Sequence, residues 1–421
     1  MHVVIMAGGK GTRIASVASD IPKPMIPVCG KPILEREIMC LKKQNLTEIT
    51  LIVGHLGHII TEYFADGSKF GVHIDYIVEE SPLGTAGALF FLKEKIKDDF
   101  LLLNGDIVFD VDFERFLRFH KKHAGVATIL THPNNHPYDS GIIVADKNGV
   151  VKRWLHKEDE RTFYKNRVNA GIHILSPKVF ASFDELKKLD LDRDILKSLI
   201  PDRKLIAYDS PEYVKDMGTP ERYQMVIADI QSGLVEAKNL AQKQKAIFLD
   251  RDGTINVYKG FIRDIDEIEL IDGVAEAIGK INRSGYLAIV VTNQPVIARG
   301  ECTFEEVEQM HEKIETLLGK RGVYLDDILY CPHHTDKGFP GERPELKFEC
   351  DCRKPKPGML IEAAKKYNID LQKSYMIGDG MNDVEAGRRA GCISILLGSE
   401  EDVLCKQTLE EAVDYILEQE K

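Results

Sequence analysis

Apolar and polar positions along this chain fall into two alternating kinds of block. Short apolar runs read as buried strands, and each is followed by a stretch whose apolar residues recur at helical spacing. VVIM leads into ILEREIMCLKKQ, ITLIVG into HIITEYF, and FLLLNGD into FERFLRFHKK. Repeated strand-then-helix order predicts the α/β class. Residues 230–245, IQSGLVEAKNLAQKQK, are polar and short of large apolar side chains, and AIFLDRDGT then restarts with a fresh strand. The expected organisation is two domains, 1–237 and 245–421, joined by a linker at 238–244, each of ordinary domain size. No internal repeat or low-complexity tract interrupts this pattern. The last residues, TLEEAVDYILEQEK, read as an amphipathic closing helix.

Composition narrows the classes. A formal charge of -11 argues against a nucleic-acid partner, since covering phosphates takes an excess of Lys and Arg. The first residues read as a strand rather than a leader, and no run is long enough to span a membrane, so a cytoplasmic protein is expected. A homo-oligomer is compatible with everything in the sequence. The 8 cysteines are too sparse for a disulfide scaffold, and three of them crowd between Cys331 and Cys352, which suggests metal.

The first chemistry-bearing stretch is MAGGKGTR, residues 6–13. It fits neither GxGxxG nor GxxxxGK[ST], and taken alone it could be a plain turn that needs small residues. Its glycines Gly8, Gly9 and Gly11 can bring backbone N–H groups to a polyphosphate, with Thr12 beside them, while Arg13 and Lys23 add positive charge. SPLGTAGAL (with Gly84 and Thr85), LNGDIVFD, VNAGIHIL and VKDMGTPERY follow in order. This set resembles the sugar-1-phosphate nucleotidyltransferases over residues 1–230. The resemblance implies a Rossmann-like domain that transfers a nucleotidyl group from a nucleoside triphosphate to a sugar 1-phosphate. It implies magnesium on Asp106 and Asp216, and the triphosphate held by the glycine loop, Arg13, Lys23, Gly84 and Thr85. Lys157 corresponds to the residue that grips the sugar's phosphate, and Gly141 and Asn169 to contacts with sugar hydroxyls. The family usually has Glu-Lys where this chain has His156-Lys157, which leaves the sugar open.

After the restart comes Asp250-Arg251-Asp252-Gly253-Thr254, two carboxylates two positions apart at a strand end. Such a pair can supply a nucleophile and an acid/base to one site, although a calcium-type loop or a turn would also fit. VVTNQ, CRKPKPGM and MIGDGMND then follow. Together they resemble the haloacid dehalogenase superfamily of phosphatases over residues 245–400. The resemblance implies Asp250 as nucleophile and Asp252 as acid/base. It places magnesium on Asp250, Asp379 and the backbone carbonyl of Asp252, with Asp383 supporting that shell. Thr292 and Lys354 would take the phosphoryl oxygens, and Asn293 and Arg353 would face the substrate.

Cys331-Pro332-His333 and Cys350-Asp351-Cys352 supply three thiolates and one imidazole, the donor set of a closed structural zinc site, with His334 as the alternative nitrogen. This loop followed by CRKPKPGM resembles the histidinol-phosphate and heptose-bisphosphate phosphatase branch. DRDGTIN leans towards the D-glycero-D-manno-heptose 1,7-bisphosphate 7-phosphatases. Two departures are Gln294-Pro295-Val296 in place of Gln-Ser-Gly, and Gly380 in place of lysine.

The halves constrain each other, because removing the 7-phosphate of a heptose 1,7-bisphosphate yields the heptose 1-phosphate that a nucleotidyltransferase consumes. The first half resembles heptose-1-phosphate and mannose-1-phosphate guanylyltransferases, so GTP is the expected nucleotide and GDP-D-glycero-α-D-manno-heptose the product. The alternatives are a hexose-1-phosphate transferase fused to a histidinol-phosphate-type phosphatase, and a non-catalytic regulatory subunit.

Overall fold

The computed structural model describes residues 1–9 and 20–420. Gly11, Thr12 and Arg13 of the glycine loop lie outside the described residues. The chain forms two compact units. The first comprises Met1–His132, Ile143–Leu155 and Val168–Asn239; the second comprises Pro133–Ile142, His156–Arg167 and Leu240–Lys421.

In the first unit the strands Phe100–Asn104, Val3–Met6, Glu48–Val53 and His73–Val78 lie side by side in that order, all parallel. Val168–Leu175 extends the sheet antiparallel to Phe100–Asn104, and Ala127–His132 and Leu205–Asp209 continue from it. Successive side chains of a strand point to opposite faces, and a parallel sheet is covered on both, so its strands read as unbroken apolar runs. Val3 and Ile5 accordingly join one core with Leu101 and Leu103, while Val4 joins the other with Leu102 and Ile52. A short antiparallel pair, Ile107–Asp110 with Tyr213–Asp216, stands apart from this sheet.

The second unit is built on a parallel sheet in the order Asp327–Cys331, Tyr286–Asn293, Lys245–Leu249, Tyr375–Gly378, Ile393–Leu397, Cys405–Lys406. The strand order reverses direction around Lys245–Leu249, and ligands of such sheets bind at the carboxyl ends beside that point. Asp250, Thr292 and Asp379 all stand at those ends. The closing helix Leu409–Glu418 is capped by Thr408 and buries Leu409, Ala412, Val413 and Ile416. Among the described residues no helix is long and apolar enough to cross a membrane.

Two pieces of the sequence expected in the first domain, residues 133–142 and 156–167, pack within the second unit. Their anchor is Arg167, whose side chain is 4% exposed. It pairs with Glu315 at 3.2 Å and donates to the Asp326 carbonyl at 2.8 Å. Tyr164 and Thr316 exchange two further hydrogen bonds. The partners Glu315 and Thr316 belong to the helix Phe304–Lys320, started by a reciprocal Thr303–Glu306 cap. Alternation along a sequence assigns a segment its element but not the surface it packs against, so this excursion left no mark in the pattern.

Candidate active sites and metal centre

A cleft of about 740 Å³ opens in the first unit at the carboxyl end of Val3–Met6. Of the expected site residues, Gly8, Gly9, Lys23, Gly84, Thr85 and Asp106 line it. Asp106 follows Phe100–Asn104 and forms an ion pair with Lys23. Asp216 ends its short strand in register with Ile107, the neighbour of Asp106, so pairing brings the two aspartates' backbones together. The Asp216 carboxylate accepts from Arg222 at 2.9 Å and from the Gly218 amide at 2.7 Å. Gly84 has a left-handed backbone (φ +80), and a β-carbon there would lie 2.3 Å from the Leu189 carbonyl, so only glycine fits that approach. Next to it, Thr85 Oγ1 accepts from the Leu191 amide at 2.7 Å.

Asn169 lies outside the lining of this cleft and donates to Asp192 at 3.3 Å. Burial pushes the Asp192 carboxyl up to about 7, with Asp190 adding to the effect. Gly141 and the exposed Lys157 sit on the segments that pack within the second unit, and neither lines the cleft. Sequence reasoning missed Lys188 and Asn104, which do line it, and Asp192. KKLDLDRD reads as a charged surface run, so nothing in the pattern singled out its members.

In the second unit, Lys354 is 4% exposed, and its ammonium lies 2.6 Å from Asp250 Oδ1 and 2.6 Å from Asp383 Oδ1. Burial alone would lower the Lys354 amine, but the two carboxylates outweigh it and hold it above its ordinary value. Burial raises Asp250 to about 6 against the pull of Lys354. Asp379 is raised too, by burial and by the charge of Asp250. Carboxylate oxygens of Asp250, Asp379 and Asp383 lie within 4.8 Å of one another. Three converging hard oxygen donors fit a magnesium-type cation.

Asp252 is held by a bidentate contact from the buried Arg251 at 2.9 and 2.7 Å, by Asn256 at 3.0 Å and by Gln294 at 3.1 Å. Arg251, Asn256 and Gln294 were not among the expected site residues. Asn293, expected to face the substrate, instead spends both ends of its amide on the backbone of Lys354, at 3.0 and 3.1 Å. A side-chain amide that matches a peptide N–H and C=O fixes the loop, with one further N–H and one lone pair left over. Arg353 reaches back to the His333 carbonyl at 3.2 Å.

Cys331, His333, Cys350 and Cys352 converge, with Sγ–Sγ separations of 3.1, 3.2 and 3.5 Å and His333 Nδ1 at 3.3 Å from Cys352. These exceed a disulfide bond, and the three cysteines and one histidine bring one atom each within 4.8 Å of the others. The spacings are close to the edges of a tetrahedron around a zinc-sized ion. His334 is turned away: its Nδ1 accepts from the Asp336 amide at 3.1 Å and its Nε2 lies 3.3 Å from Arg299. Of the two histidines, His333 is the one whose ring faces the three cysteines.

A family model for nucleotidyl transferases matches residues 2–233, and one for haloacid dehalogenase-like hydrolases matches residues 175–391. The chain is 49% identical over 148 residues to the D-glycero-beta-D-manno-heptose-1,7-bisphosphate 7-phosphatase of Pasteurella multocida, covering 35% of this chain and 77% of that protein. It is 43% identical over 179 residues to the protein of the same name from Salmonella typhi, covering 42% of this chain and 92% of that one. Among solved structures, HddC from Yersinia pseudotuberculosis matches at 28% identity and a TM-score of 0.48, over 54% of this chain and 99% of HddC.

Proposed function

Since the chain belongs to the nucleotidyl transferase family through residues 2–233 and to the haloacid dehalogenase-like hydrolases through residues 175–391, we propose that it carries out two consecutive steps of sugar-nucleotide synthesis. The second unit removes the 7-phosphate of D-glycero-D-manno-heptose 1,7-bisphosphate. The first transfers GMP from GTP to the resulting heptose 1-phosphate and releases pyrophosphate. The observation that carries this reading is the buried Lys354 ammonium between Asp250 and Asp383, which neutralises the point where a phosphate dianion would have to meet a carboxylate. The substrate rests on the relatives named for that activity.

In the phosphatase step, an oxygen of Asp250 bonds to phosphorus and the ester P–O bond breaks. Asp252 gives its proton to the departing sugar oxygen. Asp252 then takes a proton from the water that attacks the aspartyl-phosphate, and phosphate leaves. Thr292 and Lys354 hold the phosphoryl oxygens throughout. Magnesium, held by Asp250, Asp379 and the Asp252 carbonyl, would offset charge on the transferring group. In the transferase step, Lys23 and Lys188 offset charge on the triphosphate and on the incoming sugar phosphate, so that the two anions can align in line. Asp106 and Asp216 would hold the magnesium of that site. Cys331, His333, Cys350 and Cys352 would hold a structural zinc ion, which would stiffen the loop that delivers Arg353 and Lys354. With sugar phosphates and GTP as its proposed substrates, the protein is proposed to work in the cytoplasm.

The relatives' names specify the β anomer, whereas the proposed nucleotide sugar keeps the α configuration of its sugar 1-phosphate. The phosphatase is therefore proposed to accept the α anomer. Incubation with each anomer of the bisphosphate, GTP and magnesium, read by mass, should give GDP-heptose, phosphate and pyrophosphate from the α form. If other sugar phosphates react and no GDP-heptose forms, the substrate assignment fails.

A further inference from the structure

Three consecutive residues at the end of one strand of the second unit do three different things. Thr292, the expected phosphoryl ligand, accepts from Gln294 through its hydroxyl, Asn293 fastens the backbone of Lys354, and Gln294, which departs from the strand, is 2% exposed. Gln294 Nε2 lies 3.1 Å from Asp252 Oδ2 and 3.0 Å from Thr292 Oγ1. An amide nitrogen carries two hydrogens, one for each of these acceptors. Its backbone is fixed as well, since its N–H donates to the Cys331 carbonyl at 2.8 Å.

Among the described residues, the other side-chain donors to Asp252 are Arg251 and Asn256. Both belong to the turn that carries Asp252. They hold its carboxylate relative to that turn and say nothing about its distance from a phosphoryl group seated on the neighbouring strand. Gln294 is the member of the set that comes from the other strand, and it touches the phosphoryl seat and the acid/base together.

We infer that Gln294 is a positioning residue of the phosphatase step, setting the reach of Asp252 to the leaving oxygen of a phosphoryl group held at Thr292. This rests on the reading of Asp252 as acid/base given above. In that step the Asp250–phosphorus bond forms, the ester P–O bond breaks with its electron pair on the leaving oxygen, and that oxygen takes the Asp252 proton. An alkoxide leaving group requires the proton; a p-nitrophenolate departs as a stable anion and does not. Loss of Gln294 therefore harms the two classes of ester unequally, whereas general damage to the fold harms both alike.

The test compares kcat/KM, which reports events up to leaving-group departure, for heptose 1,7-bisphosphate and for p-nitrophenyl phosphate. Gln294→Met removes the donors at nearly constant volume. Gln294→Glu exchanges the donors for an acceptor, which can take a bond only from the Thr292 hydroxyl, and opposes Asp252 with a like charge. Asp252→Asn is the reference. For both Gln294 variants kcat/KM is expected to fall at least about tenfold on the sugar ester and to change less than about threefold on the aryl ester, in the same sense as Asp252→Asn. Thermal unfolding identifies a variant that fails to fold, and the other then decides. Equal losses on both esters in a folded Gln294 variant, with Asp252→Asn still selective, overturn the inference alone. Equal losses in Asp252→Asn overturn the acid/base reading and the inference with it.

Discussion

A β-carbon on Gly253 would stand 1.9 Å from Oδ2 of Asp379. The glycine's φ of +83 closes the same position to other residues independently, because L side chains rarely adopt that backbone. The turn after Asp252 is thus drawn tightly against the carboxylate expected to share magnesium. Gly253→Ala should reduce phosphate release by about 100-fold or more, since sub-ångström placement of the reacting groups is lost. Phosphate-release kinetics together with thermal unfolding check this, and an active, stable variant would contradict it.

The two reactions should separate by substitution. Asp250→Asn removes the nucleophile and should abolish phosphate release while guanylyl transfer to supplied heptose 1-phosphate continues. Asp106→Asn or Asp216→Asn should do the converse. Pyrophosphate and phosphate measured in parallel decide the matter, and loss of both activities in the Asp250 variant would contradict independent chemistry.

Metal analysis should find about one zinc per chain that survives magnesium chelation. Replacing Cys350 and Cys352 together should remove it and lower the unfolding temperature. His333→Ala should weaken zinc retention and His334→Ala should not, because His333 and not His334 stands with the three cysteines.

Asp192 sets a pH dependence of stability. Its folded-state value is raised by burial to about 7, above the ordinary range for an unfolded aspartate. Between those two values the folded chain binds more protons than the unfolded one, so this group's contribution to stability falls as pH rises from about 4 to about 7 and is flat beyond. Asp192→Asn removes that loss. Denaturant midpoints should show the variant gaining on the parent at pH 8 relative to pH 5, by on the order of 1–3 kcal/mol. A constant difference between the two pH values would refute the assignment.

Removing the Glu315 carboxylate takes the ion-pair partner from a buried guanidinium. Glu315→Ala should destabilise the second unit by on the order of 3 kcal/mol, an effect far above that of a surface pair. Calorimetry or urea unfolding followed in the second unit measures it.

Much of this was legible in the sequence for a physical reason: residues that meet at strand ends are brought there by the alternation itself. Asp250, Thr292 and Asp379 were named through the motifs of the resembled superfamily, and each stands at the carboxyl end of an apolar strand that the alternation does reveal. Asp106 was legible on the same ground. Asp192 and Lys188 come from an irregular stretch with no period to read. The choice of His333 over His334 depended on which ring the loop turns inward, and adjacent histidines look alike in one dimension. Asn293 was assigned to the substrate by its place in a motif; its bonds to the backbone of Lys354 left no trace there, because the partner lies about sixty residues away. That residues 133–142 and 156–167 group with the second unit was not legible, because their amino acids record burial and not whose surface buries them.

That excursion bears on how the protein is made. Residues 133–142 and 156–167 leave the ribosome long before residues 304–320, the helix that receives them. During synthesis they must wait, with Arg167 and its neighbours in water, until most of the chain has emerged. A first half that folds as it emerges would therefore carry segments whose partners, Glu315 and Thr316, are still to be made.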